Sequence, residues 1–105
     1  MYHMGQGVFQ DYVEAVKWCR LASNQGFSAA QTHLGSMYRF GRGVDQDNVM
    51  AHMWYNISAV NGSKVAAEGK NELAEILSSE NISKAQSMAR ECMSSGYTKC
   101  GYIEE

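Results

Sequence analysis

The feature of this sequence that most restricts its fold is an internal repeat of 36 residues. Residues 1–26 and 37–62 share eleven identical residues in twenty-six aligned pairs. The pairs join Met1, Tyr2, Gly5, Gly7, Val8, Gln10, Asp11, Val13, Ala15, Trp18 and Gly26 to Met37, Tyr38, Gly41, Gly43, Val44, Gln46, Asp47, Val49, Ala51, Trp54 and Gly62. A period of about 20 to 50 residues is typical of a solenoid, in which each unit buries its apolar face only against its neighbours.

Each unit is expected to consist of a helix, a glycine turn, a second helix and a second glycine turn. In Gly41-x-Gly43-Val44 the glycines can adopt positive φ and end the first helix, and Val44 anchors the turn. Asp47 is placed to cap the next helix. Gly62 is expected to end that second helix.

The second helix of each unit shows an apolar face. Ala51, Trp54 and Tyr55 follow spacings of three and four residues, and Ala51 is small enough for a close approach between helices. Trp18 occupies the repeat position of Trp54. We therefore predict that both tryptophans pack in the core and do not form a ligand cage.

A more polar third copy follows at a shift of 34 residues. Asn81, Ala85, Met88 and Gly96 then fall on Asp47, Ala51, Trp54 and Gly62. The glycine loop is replaced there by residues 78–81, which offer a serine N-cap. Terminal units of solenoids are atypical because one side has no neighbour, so this unit is expected to be a C-terminal cap.

These comparisons indicate a single repeat domain, 1–105. Its first unit starts near the end of a first helix, which suggests a part of a longer repeat array or a truncated array. The predicted parts are a partial repeat (1–26), a full repeat (27–62), a capping repeat (63–95) and a tail (96–105). The predicted helices lie near 11–24, 28–40, 47–60, 63–77 and 80–94.

Composition limits the function classes. Hydrophobic residues make up 45% of the chain and the net charge is −2, without a basic run, so nucleic acid is not an expected partner. No apolar stretch approaches the length of a membrane span, and the first residues lack the pattern of a signal peptide. A cytoplasmic and a periplasmic bacterial location both remain open.

Residues that could carry chemistry are few. His33 and His52 lack a third ligand, and no nucleophile or phosphate-loop pattern is present, so no catalytic residue, metal or cofactor is predicted. The three cysteines fit no zinc pattern, and their odd number argues against a complete set of disulfides. Reduced, structural thiols are therefore one interpretation.

The central unit closely resembles the SEL-one-like repeat, a relative of the tetratricopeptide repeat. The resemblance is carried by Ala30-x-x-x-Leu34-Gly35-x-x-Tyr38-x-x-Gly41-x-Gly43-Val44-x-x-Asp47-x-x-x-Ala51-x-x-Trp54-Tyr55. Residues 63–93 are similar to the capping segment of bacterial members. The resemblance implies an all-α, right-handed α/α superhelix. It also implies a non-catalytic adaptor or scaffold that binds a protein or peptide.

In such solenoids the first helix of each pair lines the concave face. This implies a set of candidate partner-binding residues: Thr32, Ser36, Arg39, Phe40, Glu68 and Glu72. Arg39 beside Phe40 is the most useful pair, because interfaces favour arginine and aromatic anchors. In the alternative interpretation, Phe40 packs under the Gly41 turn and Arg39 is merely solvated.

Cys92 and Cys100 are eight residues apart, on the last helix and on the tail. Cysteine-rich secreted relatives have cysteine pairs with this spacing, which implies a disulfide here as the alternative to reduced thiols. Two alternative functions are a structural cap of a longer array and a β-lactam-binding or β-lactam-hydrolysing activity, as in some cysteine-rich relatives.

Overall fold

Five α-helices make up the described part of the chain. The computed structural model describes the backbone of residues 8–100 and the side chains of residues 12–100. The helices span Val8–Ser23 (α1), Ser28–Phe40 (α2), Asn48–Val60 (α3), Lys64–Ala74 (α4) and Ser79–Ser94 (α5). Residues 8–100 contain no strand, and the predicted all-α solenoid is confirmed. The expected Gly5-x-Gly7 loop and the end of the tail, 101–105, lie outside the described residues.

The loop between α2 and α3 forms as the glycine and aspartate positions predict. Gly41 has φ of 68°, and its N–H donates to the carbonyl oxygen of Met37. Asp47 caps α3 because its carboxylate accepts hydrogen bonds from the N–H groups of Val49 and Met50, at 3.0 and 3.1 Å. Both helix ends are thus fixed by local hydrogen bonds.

The core is centred on α3, which packs against α2, α4 and α5. Both Ala51 and Trp54 have no exposed surface. Leu34 from α2, Leu73 from α4 and Ala89 from α5 are also completely buried. A helix with neighbours on three sides must be apolar around most of its circumference. The buried residues of α3 are Met50, Ala51, His52, Met53, Trp54, Tyr55, Ile57 and Ser58.

Tyr55 lies between two glycines of different helices. A Cβ atom added to Gly35 of α2 would lie 2.7 Å from Cδ1 of the Tyr55 ring. One added to Gly69 of α4 would lie 2.8 Å from Cε2, on the other edge of the ring. Both helices can therefore approach Tyr55 this closely only because these positions carry no side chain.

The prediction that Trp18 packs in the core is wrong. Trp18 is 67% exposed, and Leu21, one turn further along α1, is 57% exposed. The cause is the environment of α1, which packs mainly on α2. The loop after α2 also lies close to α1, since a Cβ atom on Gly43 would lie 2.5 Å from the carbonyl oxygen of Tyr12.

Helix boundaries otherwise differ by a few residues from those predicted. The first helix begins at Val8, and α4 ends at Ala74, where a turn follows. Ser78 caps α5 by accepting a hydrogen bond from the N–H of Asn81 at 3.1 Å. Among residues 8–100, none of the helices has the length and apolar character needed to cross a membrane.

Candidate functional site

The six residues proposed from the sequence fall on two neighbouring helices. Four belong to α2 and two to α4, and we call the surface that they share the α2–α4 surface. The residues are Thr32, Ser36, Arg39, Phe40, Glu68 and Glu72. The structure gives them different roles, and only some of them are available to a partner.

The hydroxyl group of Thr32 forms hydrogen bonds within the molecule. Its hydroxyl oxygen lies 2.7 Å from Oγ of Ser58 on α3 and 3.2 Å from Oγ of Ser63, the N-cap of α4. The Ser58 hydroxyl in turn donates to the carbonyl oxygen of Ser28 at 2.7 Å. Thr32 therefore joins α2 to α3 and to the start of α4, and its hydrogen-bonding capacity is largely used.

Ser36 also forms a hydrogen bond within the molecule, to Tyr55, which the sequence analysis did not assign to this surface. Its hydroxyl lies 2.9 Å from the hydroxyl of Tyr55, the ring that separates Gly35 and Gly69. Tyr55 thus has a buried ring and a hydroxyl at the α2–α4 surface. One signal in the sequence pointed to this role of Tyr55. Gly35 and Gly69 occupy matching positions at the shift of 34 residues, which indicates a close approach of both helices to the same neighbour.

Arg39 and Glu72 bind each other. Arg39 Nη1 lies 2.9 Å from Oε1 of Glu72, and the two side chains are 24% and 62% exposed. Partial burial disfavours the charged guanidinium, but its hydrogen bonds to Glu72 and Tyr55 outweigh this and raise the pKa of Arg39. Within the described residues, Glu68 is exposed and forms no ion pair. The two acidic residues are therefore not equivalent.

Phe40 is the open apolar residue of this region. It is 57% exposed, and the guanidinium carbons of Arg39 and Arg42 lie 5.2 and 5.5 Å from the centre of its ring. The interpretation in which Phe40 packs under the Gly41 turn and Arg39 is merely solvated is wrong. Arg42, which the sequence reasoning missed, also lies 5.8 Å from the ring centre of Tyr12 on α1.

A depression of about 420 Å³ lies beside Phe40, at the loop between α2 and α3. Its lining combines an aromatic ring, two glycines, an aliphatic side chain, a carboxylate and an amide. The lining residues are Phe40, Gly41, Gly43, Val44, Asp45 and Gln46. Since the loop is fixed by Gly41 and Asp47 at the helix ends, the depression has a defined shape.

The cysteines divide into a pair and a single thiol. Cys92 and Cys100 form a disulfide with a Cα–Cα distance of 4.4 Å, so the interpretation of reduced thiols is wrong for these two. Cys19 is free and half-buried, and burial raises the pKa of its thiol. Within residues 12–100, no group of three or more His, Cys, Asp or Glu side chains is arranged to hold a metal ion.

Comparison with known families agrees with the repeat. A family model described as the Sel1 repeat matches residues 1–27 and 28–63, more than half of the chain. The chain belongs to the Sel1 repeat family. Sel1 repeats are generally non-catalytic modules of protein interaction, which supports a scaffold role. Searches of the curated proteins and of the solved structures returned no match.

The Sel1 matches end just before α4. Even so, α4 places Gly69 against Tyr55 as α2 places Gly35, so the packing of the matched unit continues into the next helix. The α2–α4 surface therefore includes one helix from a matched Sel1 repeat and one helix beyond it.

Proposed function

We propose that this Sel1 repeat protein is a non-catalytic scaffold that binds a protein segment at the Phe40 end of the α2–α4 surface, with Phe40 and the adjacent loop residue Arg42 as its anchors. The segment carries an apolar side chain next to a carboxylate. The apolar side chain packs on Phe40, and the carboxylate binds Arg42. In the Sel1 architecture the first helices of the pairs line the concave face, so this surface is the one that a bound segment follows.

The observation that carries the proposal is the exposed ring of Phe40, with the guanidinium carbons of Arg39 and Arg42 at 5.2 and 5.5 Å from its centre. Burying an exposed aromatic ring against a partner removes apolar area from water, and aromatic and arginine side chains are the common anchors of interfaces. The loop conformation at Gly41 fixes the position of Phe40 before binding. Little ordering entropy is then lost on association.

Of the charged residues near Phe40, Arg42 is the one that favours a partner carrying a carboxylate. Within the described residues, Arg42 is exposed and has no carboxylate at ion-pair distance. The charge of Arg39 is matched by Glu72. Arg42 is consequently the cation that gains most from a carboxylate supplied by a partner.

The hydroxyl groups of Thr32 and Ser36 support the surface and are not proposed as partner contacts. Both are hydrogen-bonded to side chains of α3. A partner would have to break these bonds to use them, at a cost similar to its gain. The specificity of the proposed site therefore lies at the Phe40 end of α2.

Selection from a library of displayed peptides tests this proposal. Wild-type protein is expected to enrich sequences in which Asp or Glu adjoins an apolar residue. Affinities for synthetic peptides of that class are then measured by fluorescence anisotropy. We expect Phe40→Ala and Arg42→Glu each to raise Kd about tenfold or more, the effect of removing an interface anchor.

Matched controls remove similar groups elsewhere. Val60→Ala removes an aliphatic side chain that is 64% exposed at the far end of α3, and Lys84→Glu reverses an exposed charge on α5. Both are expected to leave Kd unchanged. Enrichment of no acidic-apolar sequence, or equal binding by wild type and Phe40→Ala, would overturn the proposal.

A capping role for residues 63–95 is the second candidate, and the polarity of α5 favours it. Only Ala85, Ala89 and Cys92 are buried along this helix. The side chains of Lys84 and Arg90, among others, are exposed. A helix with one narrow buried face and a polar outer face suits the end of a repeat array. This role is compatible with binding at Phe40.

A further inference from the structure

The chain after α5 folds back on itself. The disulfide between Cys92 and Cys100 closes a short loop, and both cysteines are buried. Within the loop Gly96 and Tyr97 both have positive φ, 71° and 69°. The N–H of Tyr97 donates to the carbonyl oxygen of Cys92 at 2.8 Å. This backbone conformation is unfavourable for a residue with a side chain, so the surrounding structure must hold Tyr97 in it.

Tyr97 reaches the turns that follow two other helices. Nδ2 of Asn61, at the end of α3, donates to the Tyr97 hydroxyl at 3.2 Å. A Cβ atom on Gly26, in the turn after α1, would lie 3.9 Å from the same hydroxyl, which is ordinary contact distance. Gly26, Gly62 and Gly96 occupy matching positions in the three units. Tyr97 therefore extends from the third turn over the first two.

Two more hydrogen bonds continue this connection. Asn61 Nδ2 also donates to Oε1 of Gln31 on α2, at 2.9 Å. Nε2 of the completely buried Gln31 donates to the carbonyl oxygen of Ser23, at the end of α1, at 3.0 Å. Three hydrogen bonds thus link the loop after α5 to α3, α2 and α1. We call Tyr97, Asn61, Gln31 and Ser23 the polar clamp.

We propose that the Cys92–Cys100 disulfide is a redox switch that controls the polar clamp. In the oxidised protein the closed loop keeps Tyr97 on Asn61. In the reduced protein the loop opens and Tyr97 leaves, and the ends of α3 and α1 lose this link. The proposal does not depend on where a partner binds.

Within the part of the chain that the structure describes, few other contacts hold the loop in place. Thr98 and Lys99 are exposed, and the loop contacts the core chiefly through Tyr97 and the disulfide itself. Its other hydrogen bonds are local, such as that from the Lys99 N–H to Oγ of Ser95 at 3.0 Å. A short covalent loop restricts the unfolded alternatives of residues 92–100, and this restriction disappears when the disulfide is reduced.

The chemistry of the switch is thiol–disulfide exchange. A dithiol reductant attacks one sulfur of the disulfide, and its second thiol then resolves the mixed disulfide. The reductant becomes a cyclic disulfide, while two electrons and two protons pass to Cys92 and Cys100, which become thiols. A disulfide-bearing oxidant reverses the reaction. Because both cysteines are buried, the intact loop must first move away from the core for a moment, so that the reductant can reach a sulfur atom.

Hydrogen–deuterium exchange of the full chain, oxidised or treated with dithiothreitol, tests the switch. The reporting peptides contain the amides of Asn24 and Phe27 after α1, and those of Asn61 and Ser63 after α3. These amides donate to carbonyl groups of their own helix ends. Reduction is expected to raise their exchange about three- to tenfold, the effect of losing a hydrogen bond that restrains local opening.

Three variants make the result specific. Cys19→Ser is used as the background, so that dithiothreitol acts only on the disulfide. Cys92→Ser/Cys100→Ser should exchange like the reduced protein and should not respond to dithiothreitol. Tyr97→Phe removes only the hydroxyl, keeps the disulfide, and should raise exchange at Asn61 in the oxidised protein.

The amide patterns decide the outcome even if the double serine variant does not fold. Increased exchange confined to residues 92–100 on reduction would show a local staple and overturn the switch. So would unchanged exchange at Asn61 in oxidised Tyr97→Phe.

Discussion

The helices α1 and α3 occupy the same place in two consecutive Sel1 repeats, yet they have different surroundings. Trp18 and Trp54 are 36 residues apart and occupy the same position of the repeat. Trp54 is completely buried and Trp18 is 67% exposed. The difference follows from contacts between helices, since α3 packs against three helices and α1 mainly against one.

The comparison separates two properties that a repeat pattern combines. The phase of the repeat determines which face of a helix an apolar side chain occupies. The number of neighbouring helices determines whether that face is removed from water. An identical residue can therefore be essential to stability in one unit and almost neutral in another.

Truncating the two tryptophans is the strongest test of this difference. Trp54→Ala is expected to lower the free energy of unfolding by about 3–5 kcal/mol, because it leaves a cavity in the core. Trp18→Ala is expected to cost less than about 1 kcal/mol, because an exposed side chain gains little by folding. Urea unfolding followed by circular dichroism measures both. Equal losses would show that α1 is enclosed as α3 is.

Adding a methyl group beside Tyr55 tests how closely α3 is enclosed. Gly35→Ala and Gly69→Ala place Cβ within 3 Å of the ring, so each is expected to cost about 1–2 kcal/mol of unfolding free energy after the gain in helix propensity. Thermal unfolding measures the loss. The cost should shrink in a Tyr55→Leu background. Cys19 of α1 occupies the repeat position that Tyr55 has in α3. Cys19→Ala changes this position in the less enclosed helix and should cost less than about 1 kcal/mol.

The pH dependence of stability offers a further comparison of α3 with α1, through His52. Its counterpart in α1 is Val16, and both are buried. Burial and the positive charge of Lys70 lower the pKa of His52. As pH falls below about 6.5, the unfolded chain binds a proton that the folded chain does not, so stability decreases toward the lower folded pKa.

The variant His52→Val transfers the residue of α1 to α3. It is expected to be relatively more stable than wild type at acid pH, with a weaker dependence on pH below about 6.5. Urea unfolding at a series of pH values measures the slope. His33→Gln changes an exposed histidine of α2 and should retain the wild-type slope. An unchanged slope in His52→Val would assign the acid sensitivity to other groups.

The smallest expected effect concerns the ion pair between α2 and α4. Glu72→Gln removes the partner of Arg39 and is expected to cost less than about 1 kcal/mol, because the pair is partly exposed. The cost should decrease further in high salt. Glu68→Gln removes a carboxylate of the same helix that forms no ion pair with any described residue, and it should be neutral. A larger loss for Glu68→Gln would contradict the assigned pairing.

Much of the fold of the second repeat was predictable because it depends on residues that are close together in the sequence. Gly41 and Asp47 act through local backbone geometry, so their positions in the sequence were enough to predict the loop and the start of α3. The burial of Trp54 was predictable from its phase. The exposure of Trp18 was not, since it depends on contacts between helices that are distant in the sequence.

The candidate site was harder to predict for the same reason. The sequence placed Arg39, Phe40 and Glu72 on first helices, but not the ion pair that joins two of them. That pair depends on the register between α2 and α4. Arg42 was missed because the pattern treats it as the variable residue of the glycine loop, although its side chain lies near Phe40.

The ring of Tyr55 has a consequence for how this surface can change during evolution. Its two edges meet Gly35 and Gly69, while α2 and α4 touch each other far less than each touches α3. The width of the ring thus acts as a spacer between the two helices. Exposed side chains such as Phe40 can change in sequence while this spacing stays constant. A substitution at either glycine would instead change the spacing of α2 and α4 without changing any exposed side chain of the surface.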